Sequence, residues 1–159
     1  METMAPAIAC AEYNFDSLMV PFRCVAADIK SKQQVIFSSG DLAQAVRASM
    51  SFPFYFPPLS TQNKIMFDGG IYNNFPVDVM ESSFAPDIVI GINAGSQSEI
   101  VFDDNILSQV KTMLVQQQKV TLPHDSDLLI VPNVSEYSVF DFEVARAAID
   151  SGYNETMRL

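Results

Sequence analysis

Asp68-Gly69-Gly70 is the short stretch of this sequence whose residue types could do chemistry. An aspartate carboxylate can act as a general base, and glycines let the backbone approach closely and fix the direction of that carboxylate. Taken alone, the tripeptide has a simpler explanation as a tight turn, because Asp-Gly and Gly-Gly both suit backbone positions with positive φ. The residues around it therefore decide whether Asp68 is a candidate for catalysis.

Histidine and serine offer little support for a catalytic triad. The single histidine, His124, lies in LPHDSD, a polar segment that is predicted to be a solvated loop. A Ser-His-Asp triad therefore lacks a natural middle member. No serine lies two residues from a glycine on both sides, as a GxSxG nucleophile elbow requires. This disfavours a divergent hydrolase that uses one of the serines near Asp68 in sequence: Ser38, Ser39, Ser49 or Ser51.

Two motifs at a fixed separation surround the aspartate: AVRASMSFPFYFPP precedes it, and MFDGGIYNNFPVDV contains it. In order and spacing they resemble the central stretch of patatin-like phospholipases and lipid acyl hydrolases. The resemblance is closest from about Val20 to Gly95 and continues more weakly to the SGY at 151–153. It implies a serine–aspartate dyad that hydrolyses acyl esters of lipids without histidine, cofactor or metal, with Asp68 as the catalytic aspartate.

The chain departs from that family pattern in one large respect. The family also needs the serine on its GxSxG elbow and an upstream glycine-rich turn that binds the oxyanion, and neither occurs in these residues. We therefore expect residues 1–159 to be the C-terminal half of a patatin-like catalytic domain, inactive alone, which associates with the missing half or with itself. The alternative is a non-catalytic interaction or storage protein that keeps the fold without the nucleophile.

Supporting roles fall on residues close to the DGG. Gly69 and Gly70 shape the turn, while Asn73 and Asn74 are expected to fix the backbone after it, Asn74 also as the N-cap of the next helix. Arg47 is either a solvated helix residue or the partner in a buried pair that holds the DGG loop. An aromatic cluster is interpreted as core or as a lipid-facing lip beside the site: Phe52, Phe54, Tyr55 and Phe56.

The amino-acid composition limits the classes of partner that this chain is expected to bind. The formal net charge is −10, the pI is near 4.3, and no run of Lys or Arg occurs, so neither nucleic acid nor an electrostatic anchor to anionic lipid is expected. Apolar contact with a membrane surface remains open, and the expected substrate is a lipid acyl ester, with or without that contact. Cys10 and Cys24 are expected to be reduced thiols.

No targeting segment is recognisable. METMAPAIACA has an acidic flank, unlike a signal peptide, and no apolar stretch approaches the roughly 20 residues that cross a bilayer. Bacterial members of the family resemble this stretch in both cytoplasmic and cell-envelope forms. We expect a bacterial protein whose compartment these residues leave open: the cytoplasm, or the cell envelope if an upstream segment carries a signal.

The first half of the chain predicts strands and one capped helix. The run 21–29 and the run QQVIFSS predict a pair of strands, and Ser38 to Asp41 resembles a cap for the helix LAQAVRASM, which ends before Pro53. KIMF predicts a short strand that ends at Asp68. Chemistry in α/β sheets usually lies beyond the carboxyl ends of strands, which is where this strand places its aspartate.

The second half predicts a βαβ unit. DIVIGIN, residues 87–93, and LLIVP, residues 128–132, are typical of fully buried strands, with a helix from Asp103 to about Val120 between them. A last helix is predicted from Asp141 to Asp150, with Gly152 as its C-cap. The alternation favours an α/β fold with a mainly parallel sheet, and the resemblance implies a three-layer α/β/α arrangement.

Overall fold

The computed structural model describes residues 4–95, 120–135, 137 and 142–159. Its strands are β1 Cys24–Asp28, β2 Gln33–Phe37, β3 Leu59–Ser60, β4 Ile65–Asp68, β5 Ile90–Ile92 and β6 Leu128–Ile130. Its α-helices are α1 Met4–Cys10, α2 Leu42–Ser49, α3 Val77–Phe84 and α4 Ala145–Thr156, and short 3₁₀ turns span Phe15–Ser17, Gly69–Ile71 and Phe142–Val144.

Four of these strands form one sheet in the order β2-β1-β4-β3, and every neighbouring pair is antiparallel. β5 and β6 form a separate parallel pair. The α/β class is confirmed, but a mainly parallel sheet is not, since the described residues contain one parallel pairing. The expected three-layer arrangement stays a prediction. The short connection from β1 to β2 explains part of the difference between the predicted and the observed sheet, because so short a connection can only join antiparallel strands.

β1 is one of the two inner strands of the four-stranded sheet, and its small side chains let a helix approach it. Val25, Ala26 and Ala27 are buried, and Ala48 of α2 packs against Ala26. As predicted, α2 is capped before its first residue: Asp41 accepts hydrogen bonds from the N–H groups of Ala43 and Gln44 at 2.9 and 3.1 Å. The sheet and α2 together form the framework on which the DGG turn is built.

The buried Asp28 at the end of β1 has a structural role. It accepts hydrogen bonds from the Ser31 hydroxyl at 2.7 Å and from the N–H groups of Lys30 and Ile65 at 3.1 and 3.3 Å. These bonds, the one from Ser31 first, hold the pKa of its carboxyl below the ordinary value despite burial. Asp28 therefore links the β1–β2 turn to the start of β4.

Several local predictions for the second half were wrong. Ile90 and Ile92 are each 61% exposed, so β5 is not a fully buried strand. Gly152 is not the C-cap of α4, which continues to Thr156 and is capped by Met157, because Gly152 does not take the positive φ of a cap. Apart from Val120, the helix expected after Asp103 lies outside the described residues.

Cys10 and Cys24 form no disulfide, as predicted, and burial raises the pKa of the Cys24 thiol to about 11. None of the helices in the described part of the chain combines the length and apolar character needed to cross a membrane.

Candidate active site

The backbone of Asp68 is held from two directions. As the last residue of β4, it lies opposite Ala26 in the register with β1. Its N–H donates to the carbonyl oxygen of Ser51, just after α2, at 3.0 Å. The strand and the helix therefore jointly fix the position of this aspartate.

The turn that follows orients the carboxylate. Oδ1 of Asp68 accepts a hydrogen bond from the N–H of Gly70 at 2.8 Å, which caps the 3₁₀ turn Gly69–Ile71. Oδ2 accepts none from the described residues, and the side chain is only half-buried. One carboxylate oxygen is thus fixed by the turn, and the other is available for a proton.

The two glycines are needed for close packing, not for the positive φ that the turn pattern predicts, because neither has one. A Cβ on Gly69 would lie 2.8 Å from the carbonyl carbon of Val25 and closer still to its oxygen. A Cβ on Gly70 would lie 2.7 Å from Oδ1 of Asn74 and 3.0 Å from Oδ1 of Asp68. The turn is therefore pressed against β1 on one side and against Asn74 on the other.

The surroundings of Asp68 favour its protonated form. Burial raises the pKa of the carboxyl above its ordinary value, and the hydrogen bond from Gly70 opposes this in part. A carboxylate with a raised pKa is a stronger base than one in water. The folded chain therefore binds a proton at Asp68 more tightly than the unfolded chain does.

This proton affinity predicts that Asp68→Asn makes the chain more stable at neutral pH. With the folded pKa above the ordinary 3.8, stability is lost as the pH rises from 3.8 through the folded pKa. We expect the variant to melt about 1–3 °C higher at pH 7, a small gain because the half-exposed carboxylate is screened by solvent. The difference should vanish near and below pH 3.8, as measured by thermal unfolding across pH. A variant that melts lower at pH 7 would contradict it.

Asn73 ties the turn to two other elements. Its N–H donates to the Gly69 carbonyl at 2.9 Å, and Nδ2 of its buried side chain donates to Gln34 Oε1 at 2.9 Å and to Asp78 Oδ1 at 2.8 Å. Within the described residues, Oδ1 of Asn73 is buried without a hydrogen-bond partner. Asn73 thus joins the turn to β2 and α3.

Asn74 differs from its predicted role. α3 begins at Val77 with Pro76 at the N-cap position and no side-chain cap, so Asn74 is not the N-cap. The reason is that the chain turns at Phe75-Pro76 before the helix starts, which leaves Asn74 outside its first turn. Its side chain instead lies against Gly70.

Arg47 holds the aromatic segment and contacts the DGG turn only indirectly. One guanidinium nitrogen donates to the Ser51 hydroxyl and the other to the Pro57 carbonyl, the latter at 2.9 Å. The link to the candidate site passes through Ser51, whose carbonyl binds the Asp68 N–H. Sequence reasoning missed this carbonyl, because a backbone acceptor leaves no residue-type signal.

The two remaining candidates, Ser51 and His124, do not act beside Asp68 as a nucleophile or as a base. Ser51 is fully buried and its hydroxyl donates to the Arg47 carbonyl at 2.6 Å, so it cannot attack a substrate. His124 lies in the turn just before β6, with Nδ1 3.4 Å from Asp127 Oδ2 and its side chain half-exposed. This matches the solvated loop position that was predicted for it.

This arrangement, an aspartate at a strand end followed by a tightly packed glycine turn, agrees with the family comparison. Residues 10–80 match the family described as patatin-like phospholipase. The predicted resemblance is confirmed, and this segment is patatin-like.

Individual relatives give the same result over a limited length. The chain is 37% identical over 88 residues to patatin-like phospholipase domain-containing protein 7 of Mus musculus and to protein 6 of that name in Homo sapiens. It is 36% identical over 90 residues to neuropathy target esterase sws of Drosophila melanogaster. These matches cover 54–55% of this chain but only 6% of each relative. All three are animal proteins, so they give no support to the expected bacterial origin.

Proposed function

We propose that this chain is the aspartate-bearing part of a patatin-like lipid acyl hydrolase, in which Asp68 acts with a serine that residues 1–159 do not supply. The observation that carries the proposal is the half-buried Asp68 carboxylate, fixed at a strand end, with a raised pKa and one oxygen available. The patatin-like match across residues 10–80 supports it independently.

The chemistry follows from the two carboxylate oxygens. While Gly70 holds Oδ1, Oδ2 takes the proton of the serine hydroxyl as the serine oxygen attacks the acyl carbonyl. When the tetrahedral intermediate collapses, the C–O bond to the leaving alcohol breaks and Asp68 returns the proton to that oxygen. A water molecule then repeats the sequence on the acyl-serine and releases the fatty acid. Asp68 is the general base and then the general acid in each half.

The isolated chain should therefore be inactive. Without the serine and the oxyanion donors, Asp68 has nothing to activate, so nitrophenyl esters of short acids should be hydrolysed no faster than by a heat-denatured control. A fluorophosphonate probe should likewise leave the chain unlabelled. A burst of product or covalent labelling would contradict the proposal.

The second candidate is an interaction or storage protein that keeps the fold without the chemistry. An exposed apolar stripe along the last helix favours it: Ile149, Tyr153 and Met157 lie four residues apart and are 65–68% exposed. Either the missing half of the domain or a second copy of the chain would cover such a stripe. The coding sequence upstream of Met1 discriminates, because an in-frame GxSxG after a glycine-rich turn favours the enzyme.

A further inference from the structure

The aromatic segment FPFYFPP, residues 52–58 and here called the lip, lies beside the candidate site. It starts directly after Ser51, the residue whose carbonyl binds the Asp68 N–H. Three consecutive aromatic side chains of the lip are exposed: Phe54 by 60%, Tyr55 by 47% and Phe56 by 39%. The alternative interpretation of this cluster as core is therefore wrong for these three residues.

The lip is held in a defined shape. Phe54 has φ of +71°, a backbone conformation that is strained for a bulky residue and persists only where the surroundings impose it. Arg47 spans the base of the lip by donating to Ser51 and Pro57, and its guanidinium lies 6.0 Å from the centre of the Phe56 ring. The exposed aromatic surface is thus part of the fold.

The N–H groups of the lip make almost no demand for hydrogen bonds from outside. Its three prolines have no N–H, and the N–H groups of Phe52, Tyr55 and Phe56 donate to the carbonyls of Met50 and Phe52 at 2.9–3.3 Å. Phe54 is the one lip residue whose N–H donates to no described residue. A surface with almost no unpaired N–H groups costs less to bring into an apolar medium than a surface with several.

The charge around the lip narrows the choice of partner. No charged residue occurs from Ala48 to Asn63, whereas the whole chain carries a net charge of −10. A surface with negative potential would repel this chain, and the cation beside the lip, Arg47, is already bonded to Ser51 and Pro57. The surface that complements the lip is therefore an uncharged one.

We propose that the lip is a docking surface for a neutral, zwitterionic lipid surface, into which Phe54, Tyr55 and Phe56 insert. Aromatic side chains favour the boundary between headgroups and acyl chains, where one end of Tyr stays hydrated. A protein partner fits less well, since protein interfaces use about one hydrogen bond per 100–200 Å² and the lip offers few donors. The purpose of this docking, to bring lipid esters to Asp68, rests on the proposed function.

The sequence contains no tryptophan, so Phe54→Trp gives a single fluorescent reporter in the lip. On addition of phosphatidylcholine vesicles, we expect its emission to shift to shorter wavelength and to be quenched by brominated acyl chains. The matched control is Met19→Trp, at a position that is 99% exposed but outside the lip, which should show neither change. Adding Tyr55→Ser and Phe56→Ser to the reporter should weaken vesicle partitioning at least about tenfold, because two large apolar side chains can then no longer be buried in the lipid.

The outcomes of these experiments distinguish between the possible binding partners of the lip. An unchanged Phe54→Trp spectrum with vesicles, or an equal shift for Met19→Trp, would overturn the proposal. Tighter binding to phosphatidylglycerol than to phosphatidylcholine would overturn the neutral-lipid assignment, and a spectral shift that depends on protein concentration without vesicles would assign the lip to a second copy. Asp68→Asn should partition normally, so a catalytic failure of Asp68 and a failure of the lip are distinguishable.

Discussion

Asp68→Asn should lower kcat for acyl ester hydrolysis by at least about 10²-fold, the usual scale for loss of a general base, in the enzyme that contains both Asp68 and the serine. Asn is nearly the same size, and its Oδ1 can still accept the 2.8 Å hydrogen bond from Gly70. What the substitution removes is the basic oxygen that takes the serine proton. The rate and the melting temperature are measured on the same sample, so that loss of chemistry is separated from loss of fold.

A matched carboxylate-to-amide exchange provides the control. Asp41→Asn changes the exposed N-cap of α2, where Asn is as good a cap as Asp, and should leave kcat unchanged. If the DGG motif is only a structural turn, Asp68→Asn should instead leave turnover per folded molecule normal. Near-normal kcat in fully folded Asp68→Asn would rule out the catalytic assignment.

Gly69→Ala should destabilise the chain by roughly 2–4 kcal/mol and lower the melting temperature by about 5–15 °C. The added Cβ would meet the carbonyl group of Val25, with its carbon 2.8 Å away. Val25 lies in β1, an inner strand that pairs with β2 on one side and with β4 on the other, so this backbone cannot shift without disturbing both. Thermal unfolding monitored by circular dichroism measures the effect.

The matched control for this prediction is Gly152→Ala. Gly152 lies inside α4, and among the described residues a Cβ there would meet only Pro132 Cγ, at a comfortable 3.9 Å. Since Ala is a better helix former than Gly by about 1 kcal/mol, this variant should be slightly more stable than the parent. Equal melting temperatures for the two variants would show that the turn is not pressed against β1 as described.

Local sequence was enough to predict the elements that carry the candidate site. Asp41 before an amphipathic run predicts the start of α2, and KIMF before Asp-Gly-Gly predicts a strand that ends at the aspartate, because caps, periodicity and turn residues act over a few positions. The motifs around Asp68 also carried the resemblance to patatin-like phospholipases, which the family match confirms.

Tertiary structure decided what those elements touch. The antiparallel pairing of β1 with β4 and the contact of Gly69 with Val25 join residues about 40 positions apart, and no local pattern encodes such pairings. The partners of Arg47 are a hydroxyl and a backbone carbonyl, and the latter has no residue type to recognise. The prediction that Ile90 and Ile92 are buried was wrong. A hydrophobic side chain favours a buried position, but whether it is buried depends on which surfaces the rest of the fold covers.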